Sequence, residues 1–325
     1  IVPVVKFFGF ACCILVLFVL PVQFSVWSGI GGWMSVIFKK MRSVFAMAWM
    51  EYRQWIFNPR ILLIGILCVF SKMMVSDALV QQSVETGQKL HYLEPFIAMG
   101  NSNVLLLFFP FVFLILMSDF PAMRKSTLFV MKRTGKQIWF YGQILFLLMS
   151  TMTFLLAVLG FGCLSVIGYA AWGNSWSDAV TKYAAMFPDK YNNFTSQYIP
   201  LNLYNQMSIS TAFLNTILLL FCYLLLLAMI LMIWKLCLCK TAGLLTNVTL
   251  IGIGAAACTI RLPIMWTLPM ANSLIWLHYT KIASEPIYPL WASYAYFGIG
   301  ISLLLIISHI IMKNTNAIGI GMGGD

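Results

Sequence analysis

Five basic side chains, Arg124, Lys125, Lys132, Arg133 and Lys136, fall within 13 residues and enclose the run Ser126-Thr127-Leu128-Phe129-Val130-Met131. Charge at this density attracts acidic lipid head groups, which accounts for the basic residues. It accounts less well for an apolar run held in a polar loop. An apolar patch rimmed by charge suits the docking of another protein. Thr134-Gly135 makes a turn after the run, and Trp139 and Tyr141 suit anchors at a membrane interface. Other chemistry finds little to work with. A metal-dependent membrane protease needs His and Glu ligands at helical spacing, and His91, His278 and His309 have no such neighbours. His309 reads as an interface or packing residue. Neither a Ser/His/Asp signature nor a GxxxxGK[ST] phosphate loop occurs, so no enzymatic or Walker-type ATP site is expected on this chain.

The elements that must position these residues follow from composition. Of 325 residues, 61% are hydrophobic and 9% charged, with a mean hydropathy of +0.90. Soluble domains carry roughly 25% charge, so a soluble fold is close to excluded. Apolar runs such as 210–234 are too long for the alternating segments of about ten residues of a β-barrel. The net charge of +11 reads as membrane orientation rather than as a nucleic-acid partner. The expected class is an all-α integral membrane protein: six transmembrane helices behind an amphipathic interface helix, with an extra hydrophobic segment at the N-terminus.

Residues 1–40 stand apart. Within them 7–27 are apolar and read as a signal-like segment, an extra span, or a stretch not native to the folded unit. Residues 41–313 form the expected six-span unit, and the Gly-rich 314–325 a flexible tail. Over 42–58 the period is helical. Val44, Phe45, Ala48, Trp49, Tyr52, Trp55 and Ile56 share one arc, and Arg42, Ser43, Glu51, Arg53, Gln54 and Asn58 the other. Such a helix suits the membrane interface; the alternative is the first turns of a long span. Asn58-Pro59 breaks it. Spans are expected near 60–77, 96–118, 138–168, 209–234, 242–261 and 291–312, the second kinked at Pro110. The third exceeds the bilayer's need, and so tilts or continues outside.

Lysine and arginine set the orientation. With 39–60 in the cytoplasm, the inner loops hold 13 basic residues against three acids, and the outer loops six of each. The site is thus placed at the membrane's cytoplasmic face, with the C-terminus also inside. Ion-coupled carriers usually keep charge at depth, whereas Lys72, Asp77, Asp119 and Arg261 all sit near span ends. Asn101, Asn103, Asn215 and Asn247 suit helix–helix hydrogen bonds, and Gly252 with Ala256 a close helix contact. Cys237 and Cys239 flank the short 235–241 loop, where a free buried thiol is the expectation and palmitoylation the alternative. Loop 169–208 is rich in tyrosine and tryptophan, as interfacial helices are. Loop 262–290 holds four prolines and reads as an irregular or re-entrant cap.

The arrangement resembles a known family. An E-Y-R-x-W-x-x-x-P-R element, Glu51 to Arg60, precedes the first span. After the second span come S-D-F-P at 118–121, F-V-M-K-R-T-G-K at 129–136 and W-F-Y-G-Q at 139–143. Over 41–313 this is similar to permease subunits of type-2 ABC exporters of the Gram-positive kind. The resemblance implies a homo- or heterodimer of permeases and two separate ABC ATPase subunits that dock from the cytoplasm and hold the ATP and Mg. It implies an ATPase-coupling loop of Arg124, Lys125, Phe129, Val130, Met131, Lys132, Arg133, Thr134 and Gly135. It places Arg42, Trp49, Glu51, Arg53, Trp55 and Arg60 in a connecting helix that transmits motion. The substrate would be a peptide, a lipid-like molecule or an amphipathic drug. An ion-coupled carrier acting alone, or a membrane sensor or immunity subunit, remain the alternatives.

Overall fold

The computed structural model describes residues 30–121, 129, 131, 133–191, 199–237, 239–280 and 286–314. Helix α1 covers Ile30–Ile56 without interruption, so residues 30–40 continue directly into the segment that follows. After a turn at Asn58-Pro59 come α2 (Leu62–Ser71), a π-helical turn (Lys72–Ser76) and α3 (Asp77–Thr86). The bent pair α4 (Glu94–Asn101) and α5 (Leu105–Leu116) precedes α6 (Lys136–Ser165). Four short helices follow: α7 (Asp178–Thr181), α8 (Tyr183–Met186), α9 (Pro188–Tyr191) and α10 (Leu201–Tyr204). Then come α11 (Ile209–Leu236), α12 (Lys240–Ile260), α13 (Pro269–Ser273) and α14 (Leu290–Asn314). Among the described residues strands are confined to Leu90–His91 and Ala170–Ala171, paired in parallel. Among the described residues five helices are long and apolar enough to cross a membrane, and six if the bent pair is one span. The described residues are mostly helical, with several helices long and apolar enough to span a membrane.

The core forms around α11, whose residues 223–229 are buried in succession. A helix apolar on every side can be enclosed by other helices, and α4, α6, α12 and α14 all pack against this one. Asn215 and Asn247 join helices as expected, whereas Asn103 Oδ1 is buried without a hydrogen-bond partner. Tyr294 Oη donates to Asn215 Oδ1 at 2.6 Å and Asn247 Nδ2 to the Leu227 carbonyl at 3.0 Å. Gly252 and Ala256 depart from expectation. Both are exposed, and a Cβ at Gly252 would touch nothing within 4 Å, so this stripe makes no close helix contact among the described residues.

Two spans differ from the sequence reading. The first continues past residue 77 to Thr86. Its π-helical turn brings residues five apart into line, and Lys72 Nζ meets Asp77 Oδ1 at 2.9 Å. The two charges that marked the expected end of the span partner each other on the helix surface, and the helix runs on. The second span breaks at 102–104, with an 84° bend, while Pro110 lies inside the unbroken α5. The break is held from outside the helix. Asn101 Nδ2 donates to the Ile97 carbonyl (2.9 Å) and to Thr216 Oγ1 (3.1 Å), and Asn101 Oδ1 accepts from the Ile275 N–H (3.1 Å). The Asn101 carbonyl accepts from Trp276 Nε1 at 3.1 Å. Helix α4 is buried along its whole length and approaches α11 so closely that a Cβ on Gly100 would lie 2.4 Å from Thr216 Cγ2.

Loop 262–290 is the irregular cap that its prolines suggested: 3-10 turns at Pro263–Thr267 and Ile275–His278 flank α13. His278 sits inside it. Nε2 is 2.8 Å from Ser293 Oγ and Nδ1 is 2.9 Å from the Leu274 carbonyl. Ser293 Oγ donates to Asn272 Oδ1, whose amide is spent on the Trp266 and Leu268 carbonyls. Trp266 and Tyr288 stack beside the imidazole. Burial lowers the His278 pKa from 6.5 to about 4, outweighing its contacts with backbone carbonyls. The unfolded chain therefore binds the proton between these values and the folded cap does not. Stability from the neutral ring is complete above pH 6.5 and is lost as the pH falls toward 4, by roughly 3 kcal/mol at most. Thermal unfolding followed by tryptophan fluorescence between pH 8 and 4.5 measures this. In His278→Gln the His278 contribution to the loss should vanish, and equal acid sensitivity in that variant would refute the assignment.

Candidate functional site

The chain turns that the charge count placed on one side meet at one end of the bundle. Asn58 Oδ1 caps the short turn Pro59–Ile61 by accepting the Arg60 N–H at 3.0 Å. That turn aims the Arg60 guanidinium at the end of α5, where Nη1 donates to Ser118 Oγ (2.6 Å) and to Asp119 Oδ2 (2.7 Å). Lys235, in the last turn of α11, donates its ammonium to the Asp119 carbonyl. The N-P-R and S-D-F-P elements, 58 residues apart in sequence, thus close on each other and on α11. The ion pair is exposed on both sides, so its value lies in alignment more than in stability.

Phe120 stacks against Phe146 with ring centres 5.4 Å apart, which sets the level of this cluster along α6. Residues 136–145 of α6 lie between this contact and the start of the helix. Helix α1 packs along this part of α6. A Cβ on Gly142 would lie 2.8 Å from Met47 Cγ, Trp55 sets its ring edge against Phe146, and Tyr52 Oη is 2.8 Å from Thr153 Oγ1. The Nε1 atoms of Trp55 and Trp139 and both amide atoms of Gln143 are buried there without a protein hydrogen-bond partner.

Packing against α6 redraws the two arcs of α1. Met47, Ala48, Glu51 and Trp55 are buried, and Arg42, Phe45, Trp49 and Arg53 are exposed. Glu51 departs from the expected polar face and is only 7% exposed, while Phe45 and Trp49 depart from the expected apolar face. The physical reason is that α6 covers the side of α1 centred between residues 47 and 55, whatever the polarity of each residue there.

Of the coupling loop, Arg124, Lys125, Val130 and Lys132 lie outside the described residues. Phe129 is 74% exposed, Met131 3%, Arg133 is exposed and Thr134 half-buried. The expected exposed run is therefore divided. Residues 129 and 131 belong to one helical turn, and at about 100° per residue they face in nearly opposite directions. Met131 anchors the turn and Phe129 stands out from it. Gly135, at φ +92°, closes the turn by donating to the Met131 carbonyl at 2.9 Å and starts α6. A side chain there would be strained. Cys237 and Cys239, expected to be buried, are exposed because they occupy the tight turn from α11 to α12 at this end.

Sequence reading singled out Arg60 but not its partners. Ser118 and Asp119 were visible in the S-D-F-P element and Lys235 as a basic residue at a span end, but nothing in the sequence joined them to Arg60. Trp139 was read as an anchor at the membrane interface, yet it is 1% exposed, and Gln143 is fully buried. No family model, curated protein or solved structure matches the chain.

Proposed function

We propose that this chain is the membrane-spanning subunit of a type-2 ABC exporter, with ATP hydrolysis on a separate subunit docked at the end that bears Arg60, Phe129 and Lys235. The observation that carries the reading is the projection of Phe129 from a turn anchored by Met131 and joined through Gly135 to α6. A large exposed aromatic beside Arg133 is a protein-docking feature. A push on Phe129 reaches α6 directly, and through α6 it reaches α1 and the Asn58-Pro59 turn. The Arg60–Asp119–Lys235 cluster links the start of α2, the end of α5 and the end of α11, so those helices move together. Such a linkage biases two packings of the bundle if the partner contacts them differently. The positive-inside count supports a cytoplasmic position for this end, and the exporter reading implies a plasma membrane. A second permease copy or a related subunit completes the path, whose cargo is a peptide, a lipid-like molecule or an amphipathic drug.

The test is co-purification from the native membrane in a gentle detergent, with mass spectrometry. Wild-type protein should bring down an ATP-binding subunit, and Phe129→Ser should lose it at least tenfold. Loss of one exposed hot-spot aromatic costs about 2 kcal/mol or more. Phe129→Tyr should retain it. Absence of any ATPase from the wild-type sample overturns the reading, and full retention by Phe129→Ser moves the dock elsewhere.

A further inference from the structure

The burial of Glu51 leaves the free side of α1 with a single sign of charge. Lys39, Lys40, Arg42 and Arg53 are all exposed, and the helix's one acid between Lys39 and Ile56 is turned into the α6 contact. Between the arginines stand Phe45 and Trp49, 54% and 46% exposed. They are held rigidly: Phe45 stacks on Trp49 with ring centres 6.3 Å apart, and Trp49 on Tyr52 at 5.7 Å. Trp55 continues the ladder at 5.9 Å from Tyr52 and ends it against Phe146. The exposed rings are therefore fixed in place by the buried ones. Trp55 rests on Phe146, which also packs on Phe120, so the buried end of this ladder lies near the end of α5.

We infer that the free side of α1 is a binding surface for anionic phospholipid, with Arg42 and Arg53 taking head-group phosphates and the Phe45–Trp49 shelf lying against the upper acyl chains. Charge complementarity selects this occupant. A zwitterionic surface offers no net attraction to four basic groups, whereas an anionic leaflet attracts each one. Trp beside Arg is the pairing suited to the boundary between head groups and hydrocarbon. The sequence alone does not reach this selectivity, because it places Glu51 beside Arg53 on the polar arc. The inference rests on the chain residing in a bilayer and is independent of any ATPase.

Quenching by brominated lipid tests it. The full-length protein is reconstituted in phosphatidylglycerol–phosphatidylcholine bilayers in which one lipid or the other is brominated. The signal of Trp49 is taken as the difference between wild type and Trp49→Phe. Trp291, 72% exposed at the start of α14, serves as the reference through Trp291→Phe. Brominated phosphatidylglycerol should quench Trp49 more than brominated phosphatidylcholine at equal mole fraction. The preference should fall about fivefold for each arginine changed in Arg42→Gln and Arg53→Gln, survive in the lysine variants, and shrink in 0.5 M salt as charges are screened. Trp291 should show no such change. Equal quenching of Trp49 by both lipids, or none while Trp291 is quenched, overturns the proposal and leaves membrane residence standing. Quenching of neither residue overturns both.

Discussion

Asn101→Ala should lower the stability of the folded chain by about 2–4 kcal/mol. The side chain makes three hydrogen bonds at the end of α4, to Ile97 of the same helix, Thr216 of α11 and Ile275 of the cap. Truncation leaves the Ile275 N–H, a buried donor in the cap, without its acceptor, at a cost of about 1–3 kcal/mol. The remainder comes from the lost bond to Thr216 and from a small void in a tightly packed region. Closure of that void is hindered because Gly100 already abuts Thr216. Asn101→Asp keeps the shape but cannot donate to the Ile97 carbonyl, and should fall at least as far. The comparison is Asn103→Ala, two residues on, whose Oδ1 has no hydrogen-bond partner and whose loss should change stability by less than about 0.5 kcal/mol. Denaturant or thermal unfolding of all three variants in one detergent measures these differences. If Asn101→Ala and Asn103→Ala behave alike, Asn101 does not hold the break.

Gly142→Val should detach α1 from α6. The first added carbon would stand 2.8 Å from Met47 Cγ and 2.9 Å from Met47 Cβ. The Cγ can rotate away. The Cβ is fixed to the α1 backbone, so the helices must part, and overpacking of this kind costs roughly 1–3 kcal/mol. Parting them weakens the Tyr52–Thr153 hydrogen bond and the Trp55–Phe146 contact together. The interface has little in reserve, since Trp55, Trp139 and Gln143 bury polar atoms there without protein partners. Amide hydrogen exchange over 44–56 should accelerate roughly 10- to 100-fold, with α11 unaffected. Met47→Ala in the same chain should restore protection only in part, because the Cβ remains. Unchanged exchange over 44–56 would mean that the contact bears no load. If the proposed function holds, the same variant should still bind the ATPase through Phe129 yet hydrolyse ATP without transport.

The helices, their approximate ends and their all-α class were legible because a membrane-length apolar run admits few other structures. Pairing of Asn101, Asn215 and Asn247 across helices was also legible, since a polar group among apolar neighbours gains from a partner; Asn103 Oδ1 finds none. The break in the second span was not. Pro110 is the local signal for a kink, but the chain bends at 102–104, where Asn101 is held by Thr216 and by Ile275, the latter 174 residues away. Long-range hydrogen bonds leave no trace in local periodicity. The length of the first span was hidden for a different reason: Lys72 and Asp77 look like a boundary unless a π-helical turn sets them side by side.

The amino-acid sequence by itself determined where the main apolar helices lie, that they are apolar enough for a membrane, and that Arg60, Asp119 and Lys235 each stand near a span end. Tertiary structure decided that these three meet, because only the packing of α2, α5 and α11 brings their ends to one place. It also decided which side of α1 is free. A single helix can show its polar and apolar arcs, but contact with α6 buries Glu51 and exposes Trp49 against those arcs. Burial is a property of the neighbour as much as of the residue, and the neighbour is chosen by the whole fold.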